Sequence, residues 1–196
     1  HQGATPPKHM DPLDAGFIDL PERLLSEYRQ KGSESEVGRI LATAERLREA
    51  VDRVVILGVG GSYMGARALF EAFCHPYHNQ LPRTARQARP KVYFEGNNVD
   101  SSAVEGLLDL LKDGSPWAMI VISKSGETLE AAVAFRILLQ RLIASHRGDL
   151  AKVRPLVVPV TGQDGLLRDL ISALGCPEVF RVPAGVGGRF SVLSAV

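Results

Sequence analysis

Cysteine is scarce in this chain: Cys74 and Cys176 are the two in 196 residues, and they lie far apart. Such a sequence encodes no disulfide framework, and a reducing, cytoplasmic setting is expected. Long apolar runs are also missing. None approaches the ~18 residues that cross a bilayer, so no membrane partner is expected. The first ten residues, HQGATPPKHM, carry no apolar core of the kind a secretory signal needs. Charge of one sign is lacking too. Lys and Arg number 23 against 22 Asp and Glu, a formal net charge of +1. That excludes the broad basic face of a nucleic-acid binder while leaving room for one small positive pocket. A metal centre is not expected either. Cys74-His75-x-x-His78 has no second pair of ligands and contains Pro76. There is no internal repeat.

Hydrophobic residues make up 45% and charged residues 23% of the chain, enough for one sizeable domain with its own core. Residues 1–20 are rich in Pro, Gly and Asp and read as a flexible leader. Residues 21–52 read as N-terminal helices packing on the domain. The first is polar, over Glu22–Arg29. The second, capped by Ser33 or Ser35, shows Val37, Ile40, Leu41, Ala44 and Leu47 at a helical period.

From residue 53 the pattern changes. Five short apolar runs follow: VVILGV (54–59), KVYFEG (91–96), AMIVIS (118–123), RPLVVPVT (154–161) and EVFRVP (178–183). Most lack a period of two, which marks strands covered on both faces in a parallel sheet. Helical segments separate them: Ala66–Phe73, Ser101–Leu111, Leu129–Ala144 and Gly165–Leu174. This alternation predicts an α/β fold, a doubly wound five-stranded parallel sheet flanked by helices, over residues 53–196. Leu129–Ala144 is apolar nearly all round. It serves either as a layer between the sheet and the rest of the chain or as a subunit or second-domain interface. The ending GVGGRFSVLSAV places a Gly-rich turn before what reads as a new helix at Ser191, so the chain is expected to be cut short there.

Ligands of such sheets bind beyond the carboxyl ends of the strands, so chemistry is sought in the residues that follow each strand. After the first come Gly58, Gly60, Gly61 and Ser62, opening a helix. Clustered glycines let backbone amides approach an anion at a helix N-terminus; the alternative is a tight turn with no ligand. The dinucleotide fingerprint fails, because Tyr63 stands where its third glycine belongs. The nucleotide P-loop fails because Ala66-Arg67 replaces Lys-Ser/Thr. After the third strand comes Ser123-Lys124-Ser125-Gly126-Glu127-Thr128, again opening a helix. Three hydroxyls beside helix-start amides suit a phosphate monoester; the alternative is an ordinary capping box. After the fifth strand, Gly187-Gly188-Arg189-Phe190-Ser191 adds a guanidinium to a third Gly-rich turn. Glu95–Asp100 reads as a turn with a helix cap, His146 as solvated and Trp117 as packed.

Taken together and in this order, Gly58-Val-Gly-Gly-Ser62, Ser123-Lys-Ser-Gly-Glu-Thr128 and Gly187-Gly-Arg-Phe-Ser191 resemble the glucose-6-phosphate isomerase family. The stretch from about Arg53 to Val196 resembles its first sugar-isomerase (SIS) domain, a flavodoxin-like sheet. The resemblance implies a cofactor-free enzyme that interconverts glucose 6-phosphate and fructose 6-phosphate, homodimeric when complete. It also implies roles. Ser123, Ser125 and Thr128, with the backbone at Lys124, would bind the substrate phosphate. Gly61 and Ser62 would line the sugar site, and Arg189 would steady the developing enediolate as a catalytic group. No match to the family's catalytic glutamate, histidine or lysine is present, and in the family these lie downstream of the arginine turn. Glu127 stands where many relatives carry a small hydroxyl residue. The rival expectation is a non-catalytic SIS-type phosphosugar sensor that controls a partner.

Overall fold

The computed structural model describes residues 16–183 and 185–196. Two helices come first, α1 (Leu20–Lys31) and α2 (Glu36–Ala50). Ser35 opens α2, its hydroxyl accepting from the Gly38 amide at 3.0 Å. The expected leader differs at its end. Residues 1–15 lie outside the described residues, but Leu20 is fully buried and begins α1. Of the expected α2 stripe, Leu47 is buried while Leu41 is 53% exposed. The helix thus rests on the domain along a narrower seam than the periodicity suggests.

The sheet then follows, each strand separated from the next by helix: β1 (Arg53–Leu57), α3 (Gly61–Phe73), β2 (Lys91–Glu95), α4 (Ser101–Leu110), β3 (Trp117–Ser123), α5 (Leu129–Ser145), α6 (Leu150–Val153), β4 (Val157–Thr161), α7 (Leu166–Leu174) and β5 (Phe180–Arg181). All pairings are parallel, in the order β2-β1-β3-β4-β5. This is the expected doubly wound α/β arrangement, with β3 at its centre. The strand runs are apolar because the central strands have helices on both faces. Val55, Leu57, Met119, Val121, Val157 and Val160 are all buried. β2, at the edge, is only half-buried along most of its length. Right-handed crossovers put α3 on one face and α4, α5 and α7 on the other. The fifth strand is shorter than EVFRVP suggests, because only Phe180 and Arg181 find partners on β4. The expected helix at Ser191 is a 3-10 turn, Gly188–Leu193.

Phe135, Leu138 and Leu142 anchor α5 in the core, and its outer side leaves Leu129 67% exposed. Trp117 is buried, as expected. Cys176 is half-buried, and burial pushes its thiol up to about 11, so it supplies no nucleophile at neutral pH. His78 points inward, its Nε2 3.0 Å from the Pro90 carbonyl. Among the described residues no group of three or more metal-ligating side chains occurs, and no helix is long and apolar enough to cross a membrane.

Two contacts hold the frame, one away from the ligand edge and one on it. Arg53, buried at the start of β1, donates to the Leu110 carbonyl at 2.5 Å and to Asp113 Oδ1 at 2.7 Å, with a second, shorter bond to Oδ2. This fork clamps the end of α4 to β1. On the ligand edge, the 188–193 turn lies on the first turns of α3. A Cβ on Gly65 would stand 2.6 Å from the Val192 Cβ.

Two predictions follow from these contacts. The Arg53 guanidinium holds the Asp113 carboxyl below its ordinary value of 3.8. A depressed folded-state pKa contributes stability that is present above the unfolded value and lost as pH falls through the folded one. Asp113→Asn should therefore lower the urea midpoint at neutral pH, and its deficit against the unaltered chain should shrink between about pH 4 and pH 2. Gly65→Val should cost about 1–3 kcal/mol by overpacking the 188–193 turn, read as a shift in thermal or urea midpoint with an unchanged far-UV spectrum.

Candidate functional site

In a sheet of order 2-1-3-4-5, the crevice for ligands opens where the order reverses, between β1 and β3. The loops after those two strands are the ones the sequence singled out. Leu57 of β1 lies beside Val121 of β3, so residues 58–62 and 123–128 leave neighbouring strands at the same edge.

The β3 loop begins with a buried hydroxyl. Ser123 is 4% exposed. Its Oγ accepts from the Gly126 amide at 3.1 Å and lies 3.3 Å from Thr128 Oγ1. Ser125 behaves differently: it is exposed, and its Oγ accepts from the Glu127 amide at 3.2 Å. Two of the three expected hydroxyls therefore converge, while the third braces the loop from outside. Gly126 turns the chain with φ +71°, a conformation that suits glycine. Thr128 precedes α5 without a side-chain capping bond. The capping-box alternative is thus not what its hydroxyl does. The first amides of α5, which have no intrahelical acceptor in any α-helix, open beside it. Lys124 and Glu127 are both exposed.

The loop forms the polar end of a groove of about 370 Å³ between α5 and α7. Its walls are largely Leu129, Leu166, Leu167 and Leu170, with Arg136 supplying a cation. Aliphatic walls suit neither a dianion nor a hydroxylated sugar, so the polar chemistry belongs to the loop and the helix start.

The β1 loop supplies Gly61 and Ser62 at the start of α3, after Gly60 at φ +53°. Its glycines do a job that the sequence reading missed. A Cβ on Gly61 would stand 2.1 Å from the Gly188 carbonyl carbon. Gly61 and Gly65, one turn apart on α3, together make a bare strip on which the Gly188 backbone and the Val192 side chain rest. Ser191 fastens the contact, its Oγ donating to the Gly188 carbonyl at 2.8 Å and to the Gly61 carbonyl at 3.3 Å. The signal was present in the sequence as small residues four apart, but it reads equally as an anion loop.

The structure thus brings Gly61 and Ser62 together with the arginine turn. Arg189 itself is exposed, its guanidinium carbon 5.5 Å from the Phe190 ring centroid. Among the described residues it makes no ion pair, so its charge is available at the strand ends. Phe190 in turn stacks on Phe17 at a centroid distance of 4.0 Å, and the Gly16 amide donates to the Gly185 carbonyl at 2.9 Å. The Glu95–Asp100 turn caps α4 as expected, with Asp100 Oδ1 accepting from the Ser102 amide at 2.9 Å. Asn97 from that turn reaches Tyr63 Oη at 3.3 Å, adding polar groups to the rim of the crevice.

No family model matches the chain. Curated relatives do. A glucose-6-phosphate isomerase of Acetivibrio thermocellus is 40% identical over 181 residues, covering 92% of this chain and 38% of that protein. The glucose-6-phosphate isomerases of Shouchella clausii and Heliobacterium modesticaldum are each 41% identical, with the same coverage. Among solved structures, a glucose-6-phosphate isomerase from Chlamydia trachomatis superposes with a TM-score of 0.58 at 28% identity, over 81% of this chain and 29% of that one. A hypothetical protein from Thermus thermophilus superposes with a TM-score of 0.63 at 28% identity, over 91% and 41%. Along 92% of its length, this chain is homologous to a stretch that makes up 38% of glucose-6-phosphate isomerases.

Proposed function

We propose that this chain is the phosphosugar-binding part of an aldose–ketose isomerase acting on glucose 6-phosphate and fructose 6-phosphate. The observation that carries the reading is the meeting of Ser123 Oγ and Thr128 Oγ1, 3.3 Å apart, where the central strand gives way to α5. A phosphate monoester needs several donors aimed at its oxygens. Two hydroxyls, loop amides and the start of a helix can supply them without a full counter-charge. Hydrogen bonds to a charged group are worth about 1.5–3 kcal/mol each. A few of them suffice to hold a small ester once binding costs are met.

In this reading the phosphate is the handle, and the sugar lies over Gly61 and Ser62. Isomerisation moves a proton between C2 and C1 and passes through an enediolate, whose negative charge Arg189 offsets from the strand ends. The proton itself needs a base of tuned pKa held against the carbon. No residue of the described loops fits that role, and it falls to the part of the enzyme outside these residues. Glu127 is compatible with a bound dianion because its side chain is exposed and its amide serves the loop through Ser125. The complete enzyme would act as a cytoplasmic homodimer with no cofactor. The sensor reading shares the phosphate loop but gives the arginine turn no work.

The 196-residue chain should bind glucose 6-phosphate more tightly than glucose in a calorimetric titration. Replacing both Ser123 and Thr128 with Ala should weaken binding of the ester by at least about tenfold and leave glucose unaffected. Equal losses on both ligands would make the loop structural. The chain alone should show no interconversion of the two esters in a coupled assay; sustained turnover would place the base within it and overturn the division of labour described above.

A further inference from the structure

The turn between β4 and α7, residues 161–165, lies against the back of the phosphate loop and meets its carbonyls through the Thr161 hydroxyl and two glycines. Thr161 is wholly buried. It stands beside Ser123 in the β3–β4 register and donates its hydroxyl to the Ser123 carbonyl at 2.8 Å. A Cβ on Gly162 would stand 2.5 Å from the Lys124 carbonyl oxygen and 3.7 Å from its carbon. That difference matches the whole C=O bond length of about 1.23 Å, so the bond points straight at Gly162. At Gly165, where φ is +102°, a Cβ would lie 2.5 Å from the Ser125 carbonyl oxygen and 3.5 Å from its carbon, again nearly in line. Three successive carbonyls, of Ser123, Lys124 and Ser125, are directed at one short turn.

An extended strand alternates its carbonyls from side to side, so three in one direction require a different backbone here. The consequence follows from the planar trans peptide, in which each N–H points opposite to the preceding carbonyl. With the carbonyls of residues 123, 124 and 125 on the β4 side, the amides of Lys124, Ser125 and Gly126 face the other way. The other side of β3 is β1, where Gly60–Ser62 begin α3. The Gly126 amide is taken within the loop, donating to Ser123 Oγ at 3.1 Å, so the side toward β1 is left to the amides of Lys124 and Ser125. Successive amides turned to one side make a concave seat for an anion.

We propose that Thr161, Gly162 and Gly165 are positioning residues for phosphate binding: they hold three consecutive carbonyls of the β3 loop so that the Lys124 and Ser125 amides face the crevice between β1 and β3 and the Gly126 amide meets Ser123 Oγ. This rests on the functional reading above and adds to it a second turn, one that touches no substrate. Gly162 and Gly165 serve by having no side chain at a carbonyl contact, and Thr161 serves by its hydroxyl.

Thr161→Val keeps the shape of the side chain and removes the hydroxyl; Thr161→Ser keeps the hydroxyl. Two readouts on the isotopically labelled 196-residue chain decide the matter: hydrogen exchange of the Gly126 amide without ligand, and NMR titration with glucose 6-phosphate. Thr161→Val should speed exchange at Gly126 and weaken binding about tenfold, while Thr161→Ser should restore both to within about threefold of the unaltered chain. Gly165→Ala should weaken binding in the same direction, and because it also strains the fold, the Thr161 pair is decisive. Unchanged exchange and affinity in Thr161→Val would overturn the proposal, as would a Thr161→Ser variant as defective as the valine. An unaltered chain whose loop amides do not respond to saturating glucose 6-phosphate would overturn the functional reading together with this one, an outcome distinct from loss in the variants alone.

Discussion

Everything at the ligand edge depends on one buried polar group, the Ser123 peptide and hydroxyl at the end of the central strand. A hydroxyl and a carbonyl at this depth must be satisfied or they cost stability. The carbonyl takes the Thr161 hydroxyl, and the side-chain oxygen takes the Gly126 amide. Those two bonds commit the chain to bend within three residues. That bend delivers Thr128 to within 3.3 Å of the same oxygen and starts α5 there. Remove the requirement at Ser123 and no reason remains for the next five residues to curl back on their own strand.

The neighbouring strands supply complementary halves of the crevice. β4 contributes a turn that is close because it lacks side chains. β1 contributes a helix start that is close for the same reason, with Gly61 admitting the Gly188 backbone and Gly65 the Val192 side chain. Glycine here is a packing device on both sides of the loop. Backbone approaches backbone closely at Gly61, Gly162 and Gly165.

Much of this architecture is legible in the sequence. Most of the five apolar runs lack a period of two because central parallel strands are covered on both faces, and the helices between them fix the winding. The hydroxyl loop after β3 is legible because Ser123 to Thr128 sit where ligands of such folds bind. What the sequence does not carry is direction. Ser125 looks equivalent to Ser123 in a string of letters, but one closes a turn from outside and the other is buried within it. The glycines after β1 look like an anion loop, and in the fold they rest on residues more than a hundred positions away, as the bond from Ser191 to Gly61 shows. Thr161 and Gly165 pass as an ordinary strand end and loop, since their contacts are with a segment nearly forty residues upstream. Hydrophobic period reports which face is buried; it reports nothing about which carbonyl meets which turn.

The stack of Phe17 on Phe190 joins the segment before α1 to the arginine turn. Its two rings come from nearly opposite ends of the described residues, so the contact closes a very long loop. Closing so long a loop costs conformational entropy, though the cost grows only slowly with length. The guanidinium's mounting is thus braced from two sides, by α3 through Ser191 and Gly61 and by an aromatic ring on a segment outside the sheet.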